Sequence, residues 1–209
     1  MHAASSRAAS PSRATAGRIR LIANVALKLA YPIVILAFLR IGSPRFIGVA
    51  LLALLWLQRW LGAGSVKALL ARFTRLEWGA ALVMSALSAA IAVTDSETLL
   101  RAYPIVVNVG MLVAFGATLC NGGPSMVEKF ARVRRPDLDA SAVRYTRRVT
   151  QIWCGFFALN VAVSAGIALW GSRAQWAFYN GVVTYVLIGV LIVGEIAWRH
   201  AFVLRGKAR

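Results

Sequence analysis

The feature that most limits what this chain can fold into is a series of apolar runs close to the length of a bilayer crossing. They cover 21–39, 46–61, 78–93, 99–119, 149–170 and 176–198. A spanning helix needs about 20 predominantly apolar residues. The runs are continuous rather than alternating, so they read as helices and not as the strands of a barrel. The expected fold is therefore all-α: a polytopic transmembrane helix bundle of about six spans. The first run is interrupted by Lys28 and Pro32, and the second is short and ends in Gln58-Arg59. This pair reads as a hairpin, either spanning or re-entrant, and both forms return the chain to the side on which it started. Charged residues make up only 15% of the chain and the mean hydropathy is +0.68, against about 25% charged in a soluble protein.

The formal net charge of +17 would point to nucleic acid in a soluble protein. Here Lys and Arg gather at the ends of the apolar runs, so no nucleic-acid partner is expected and the charges set orientation instead. One set of connections holds Arg7, Arg13, Arg18 and Arg20, then Arg59, Lys67, Arg72 and Arg75. The same set holds Lys129, Arg132, Arg134, Arg135, Arg144, Arg147 and Arg148, and finally Arg199, Arg205, Lys207 and Arg209. The opposite set holds only Arg40, Arg45, Arg101 and Arg173. Both termini are expected in the cytoplasm. Residues 1–20 read as a disordered basic tail, 21–199 as the bundle with a cytoplasmic loop at 120–148, and 200–209 as a basic C-terminal tail. Leu29-Ala-Tyr-Pro-Ile-Val34 also matches Arg101-Ala-Tyr-Pro-Ile-Val106 in all but its first residue, which suggests a 3+3 inverted repeat.

The 120–148 loop is the longest polar stretch between spans. Asn121-Gly122-Gly123-Pro124 is turn chemistry that ends the fourth run. Ser125 to Val133 reads as an interfacial amphipathic helix, with Met126, Phe130 and Val133 on one face beside Lys129 and Arg132. Pro136-Asp137 breaks it. Asp139 or Ser141 then caps a helix that carries Arg144, Arg147 and Arg148. Anionic lipid headgroups are the expected neighbours of such a loop, and an acidic protein surface is the sharper alternative. Within the runs, Asn108, Asn160 and Asn180 are candidates either for interhelical hydrogen bonds or for a polar site between the last three helices. Glu195 is a candidate partner for Lys28. Pro32 and Pro104 are kink positions.

No catalytic set is present: there is no GxSxG, HExxH, P-loop or pair of acids. Cys120 and Cys154 read as small apolar residues, and the two histidines lie at positions 2 and 200. No metal or cofactor is expected, and an enzyme is conceivable only as a polar-pocket lipid enzyme.

Over 103–180 the motifs follow one another in a set order. Pro104 lies early in a run, then come Pro124-Ser-Met-Val-Glu128-Lys129 and Ala142-Val-Arg144-Tyr-Thr-Arg147-Arg148. Trp153-Cys-Gly-Phe-Phe157-Ala-Leu-Asn160 follows, then Trp176 with Tyr179-Asn180. This succession resembles the bacterial intracellular septation protein A family of inner-membrane proteins. Chain length and the Tyr-Pro repeat resemble a branch encoded beside fatty-acid- and polyene-type synthesis enzymes. The resemblance implies an inner-membrane protein tied to envelope maintenance or division, with no known reaction. It implies Pro124, Glu128, Lys129, Arg147, Arg148, Trp153, Phe157, Asn160, Trp176 and Asn180 as functional positions, beside Pro104, Asn108 and Arg144.

The leading expectation is a non-enzymatic scaffold whose basic loop meets envelope-synthesis, division or acyl-chain synthesis proteins. The alternatives are a small transporter or flippase of a lipid or lipid-linked polyene, and a membrane-embedded enzyme of lipid synthesis.

Overall fold

The computed structural model describes residues 32–37, 43–63 and 75–199. These are helical almost throughout, with no strand among the described residues. After a helical turn at 32–37 come α1 (Pro44–Ala63), α2 (Arg75–Thr94), α3 (Glu97–Cys120), α4 (Met126–Arg134), α5 (Ala140–Trp170) and α6 (Arg173–Trp198). Three of them, α3, α5 and α6, are long and apolar enough to cross a membrane, and Trp78–Thr94 is a shorter apolar stretch. Only 22%, 17% and 11% of their most apolar stretches is buried inside the protein. Surfaces as apolar as Val113, Leu159, Val186 and Val193 stand outward, which fits a membrane-embedded chain whose outer solvent is hydrocarbon. Lys28, the tail at 1–20, the connector at 64–74 and the tail at 200–209 lie outside the described residues, as does most of the 21–39 run and the start of the Tyr-Pro repeat's first copy.

Two antiparallel pairs organise the fold. In the first, α1 packs along α2. Gly48 makes the close approach possible: a Cβ there would lie 2.7 Å from the Ala92 N and 2.8 Å from the Ser88 O. The Trp56 indole donates to the Ser85 hydroxyl across the same seam at 3.1 Å. In the second pair, α3 packs along α5, and each helix closes the end of the other. Arg101, in the first turns of α3, donates to the carbonyls of Gly171 (2.8 Å) and Ala168 (3.4 Å) at the end of α5. Arg147, in the first turns of α5, donates to the Leu119 carbonyl (2.7 Å) at the end of α3. The last carbonyls of a helix have no partner within it, and cations there also oppose the helix dipole.

The turns meet at one end of the bundle. Asp95, at φ 52°, accepts from the Arg45 N–H (2.6 Å) and the Ser43 hydroxyl (3.0 Å), so its carboxylate caps α1 from a distance in sequence. Glu97 binds Arg101 (2.6 Å) on its own helix and Arg173 (2.6 Å) at the start of α6. The core lies just inside this end, formed by Ile35, Ile47, Leu51, Ile91, Leu100, Tyr103, Trp176 and Ala177. Trp176 is fully buried and its indole donates to the Arg101 carbonyl at 3.2 Å.

The basic helix expected before the fifth run and that run itself form one element. Asp139 is the cap, accepting from the Ala142 N–H at 2.8 Å, and α5 then continues unbroken for 31 residues. Neither Thr146 nor Thr150 interrupts it, because both hydroxyls turn back to carbonyls of their own helix.

Because the Gly48 clash is with backbone, Gly48→Ala is expected to lower stability by about 1–3 kcal/mol. Gly110 has open space around its Cβ position, so Gly110→Ala should be neutral or stabilising by up to about 1 kcal/mol. Thermal unfolding of the two variants in the same detergent micelle checks the contrast.

Candidate functional site

Of the three asparagines in the apolar interior, two are bonded to each other across helices. The Asn108 amide donates to the Pro104 carbonyl of its own helix at 2.8 Å, and its oxygen accepts from the Asn160 amide at 3.0 Å. The Asn160 oxygen in turn accepts from the Tyr179 hydroxyl (2.7 Å) and the Thr184 hydroxyl (3.4 Å) of α6. One buried side chain on α5 thus holds α3 and α6 together. Asn180 belongs to a second branch. It accepts from the Ser164 hydroxyl of α5 at 3.0 Å and donates to the Trp176 carbonyl at 3.0 Å. Asn108, Asn160, Ser164, Asn180 and Thr184 are all buried. Buried amides with good partners contribute modestly, and their larger effect is the cost of leaving one unpaired.

Two irregular stretches of backbone lie beside this seam. Pro104 has no N–H for the carbonyl one turn back in α3. Facing it, α6 widens into a π-helical segment at Tyr179–Val183. Pro104, Asn108, Asn180 and Thr184 line a cavity of about 390 Å³ that also reaches residues of α1, α2 and the 32–37 turn.

The 121–148 region forms the other polar surface. Gly122, at φ 66°, turns the chain out of α3. Pro124 is exposed and leads into Ser125, which caps α4. Ser125 and Glu128 exchange bonds in a capping box, the Ser125 hydroxyl accepting from the Glu128 N–H and the Glu128 carboxylate from the Ser125 N–H. Glu128 is only 4% exposed and also binds Arg132 at 2.7 Å. The first N–H groups of α4 are satisfied by neighbours: Met126 donates to Thr118 on α3 and Val127 to Thr150 on α5. The short helix is therefore bolted to both long ones. Glu128 and Arg147 are thereby frame residues, whereas Lys129, Arg135, Arg144 and Arg148 stand exposed on the frame.

Trp153 and Phe157 pack with Phe115 of α3 and with Phe156, ring centroids 5.3 to 6.4 Å apart. This is an aromatic contact between helices, and Phe157 also borders the cavity. Glu195 accepts from the Tyr145 hydroxyl at 3.2 Å and lies 3.7 Å from Arg199. Lys28, its expected partner, is outside the described residues. Among the described residues no group of three or more His, Cys, Asp or Glu side chains is placed to hold a metal.

Sequence reasoning passed over Tyr179, Thr184 and Ser164 as partners of the asparagines, and Arg101 and Arg147 as helix-end caps. The i, i+3 pattern of Ser125 with Glu128, and of Ser172 with Gln175, was the readable signal for two of the helix starts.

Replacing Asn160 by Ala removes the shared acceptor of two hydroxyls and the donor to Asn108, and is expected to cost about 1–3 kcal/mol. A double-mutant cycle of Asn108→Ala with Asn160→Ala should give a coupling of about 0.6 kcal/mol, the usual size for such pairs in a membrane. Both are measured by reversible unfolding in mixed micelles. No family model, curated protein or solved structure matches this chain.

Proposed function

We propose that this chain is a non-enzymatic scaffold of the bacterial inner membrane, with six spans and both termini in the cytoplasm, that holds an acidic protein surface against its basic face. The observation that carries this reading is the difference in charge between the two ends. At the end where the turns meet, Arg101 and Arg173 are matched by Glu97, and Asp95 caps the adjoining helix. At the other end Glu128 is turned inward, and the exposed Asp137 and Asp139 are outnumbered by Lys129, Arg135, Arg144 and Arg148, which stand exposed on α4, its C-cap and α5. An excess of cations on a rigid ledge attracts and orients an acidic partner, and it is the side that the distribution of Lys and Arg assigns to the cytoplasm. Phe130 is 65% exposed and Val133 83% exposed on α4 beside Lys129, which suits a helix lying at the headgroup boundary of an anionic membrane.

The resemblance to the septation protein A family supports a partner in envelope synthesis or division, and its second branch supports one in acyl-chain synthesis. The 3+3 inverted repeat accounts for the Tyr-Pro pair at 31–32 and 103–104. A second reading, a small transporter or flippase of a lipid, is favoured by the cavity beside the asparagine seam.

Two measurements test the first reading. A cysteine at position 129 in a background lacking Cys120 and Cys154 should react with an impermeant maleimide only when the cytoplasmic face is open. A photoreactive residue at position 144 should trap one protein in native membranes. Lys129→Glu combined with Arg148→Glu should reduce that adduct by about tenfold or more, with unfolding temperature unchanged, and added salt should weaken it in the same way. Labelling at position 129 from the outer face alone would reverse the orientation. An adduct with lipid alone would remove the scaffold reading.

A further inference from the structure

Several features that have separate causes meet at the 390 Å³ cavity. The first is backbone. Pro104 of α3 and the π-helical turn of α6 border the same space. Single π turns recur at functional sites, and irregular backbone at membrane depth is tolerated where it lines a cavity. The second is polarity. Asn108 and Asn180 each use one amide proton on a carbonyl of their own helix, at Pro104 and Trp176. A side-chain amide has two such protons, so each residue keeps one for a further acceptor. Thr184 gives its proton to Asn160 and keeps its oxygen lone pairs. The third is the wall. Ile35, Leu55, Met84, Met111 and Ile188 are apolar, and none of the described residues lining the cavity carries a formal charge. The fourth is access. Val107 and Tyr185, both at the cavity, are each 38% exposed, so the space opens sideways toward the lipid-facing surface between α3 and α6.

We propose that this cavity is a binding site for an uncharged, chain-like lipid that carries a carbonyl, ester or hydroxyl oxygen. The oxygen accepts the spare amide protons of Asn108 and Asn180, and the chain lies against the apolar wall and leaves through the lateral opening. A phosphate or an ionised carboxylate does not suit the site, because burying a charge without a counter-charge costs far more than two amide bonds return. The volume falls within the range of ordinary ligand pockets, about 300–1,000 Å³, and suits one chain rather than a whole two-chain phospholipid. The site is independent of the basic ledge, so either can stand if the other falls.

The test uses the full chain in lipid nanodiscs with a long-chain fatty alcohol bearing a diazirine. Its adducts are mapped by mass spectrometry, and unlabelled competitors of equal length are added: the alcohol, the methyl ester, the alkane and the carboxylate at alkaline pH. The expected result is labelling at Met84, Met111 or Phe157, with the alcohol and the ester competing about tenfold better than the alkane or the carboxylate. Ile188 makes none of the side-chain hydrogen bonds of the asparagine seam, so Ile188→Trp fills the cavity without deleting any of them, and should remove this labelling while the unfolding temperature holds or rises. Because that variant leaves the asparagine bonds in place, it judges the proposal even where Asn108→Leu fails to fold. Equal competition by the alkane would overturn the proposal. So would labelling that survives Ile188→Trp, or adducts spread over the outward residues Val186, Val190 and Val193.

Discussion

In hydrocarbon a polar group has no water to fall back on, so each one must find its partner within the protein. Asn160 is where this constraint shapes the bundle most. Its amide and its oxygen together engage Asn108 on α3 and Tyr179 and Thr184 on α6. Apolar contact alone does little to align helices in lipid, because lipid tails are as apolar as the side chains. A bond between two amides has a direction and a length, and so sets the depth and rotation of one helix against another. The ends of the α3–α5 pair obey the same constraint, with Arg101 and Arg147 closing opposite ends. Three points along one seam, two at the ends and one in the middle, determine the register of the pair.

Much of this frame was legible. The continuous apolar runs named the helices, and Asn108, Asn160 and Asn180 stood out because amides are conspicuous in such runs. The 126–134 helix and its exposed Phe130 and Val133 followed from spacing alone. The partners were not legible, for a physical reason. Ser and Thr occur throughout apolar helices with their hydroxyls satisfied by their own backbone, as Thr94 and Thr146 are here. Nothing in the spacing of Thr184 or Ser164 distinguishes a hydroxyl that bridges helices from one that does not. The π turn was equally silent, since it adds a residue to a helix without changing its composition. The capping role of Arg147 was hidden by its neighbours: Arg144, Arg147 and Arg148 form one basic group in sequence, and only the packing of α3 against α5 separates the member that closes a helix from those that face out.

The split within that group bears on how the motif succession over 103–180 should be interpreted. Glu128, Arg147, Trp153 and Trp176 each hold part of the frame. They supply, in turn, a capping box, a helix-end cap, an aromatic contact between helices and a buried anchor to the Arg101 carbonyl. Such residues would mark a fold regardless of what the protein binds. Lys129, Arg144 and Arg148 have no such role in the frame, and Asn108 and Asn180 have amide protons beyond those the frame uses. Function is better sought in this second set.

The carboxylates lead to the same place. The chain has only 7 Asp and Glu against 24 Lys and Arg. Asp95 caps α1, Glu97 binds Arg101 and Arg173, Glu128 closes the start of α4, Asp139 caps α5, and Glu195 is held by Tyr145 and Arg199. Each of these five anions is engaged in holding the frame, while Asp137 stands exposed in the turn between α4 and α5. A mechanism based on one of them as general base or proton relay would have to draw it out of that frame, leaving a helix end or a guanidinium without its partner. The chemistry that can act without dismantling the fold belongs to cations at one face and to neutral amides in the interior. Those groups are the ones on which the two proposals rest, the basic ledge for an anionic surface and the interior amides for an uncharged oxygen.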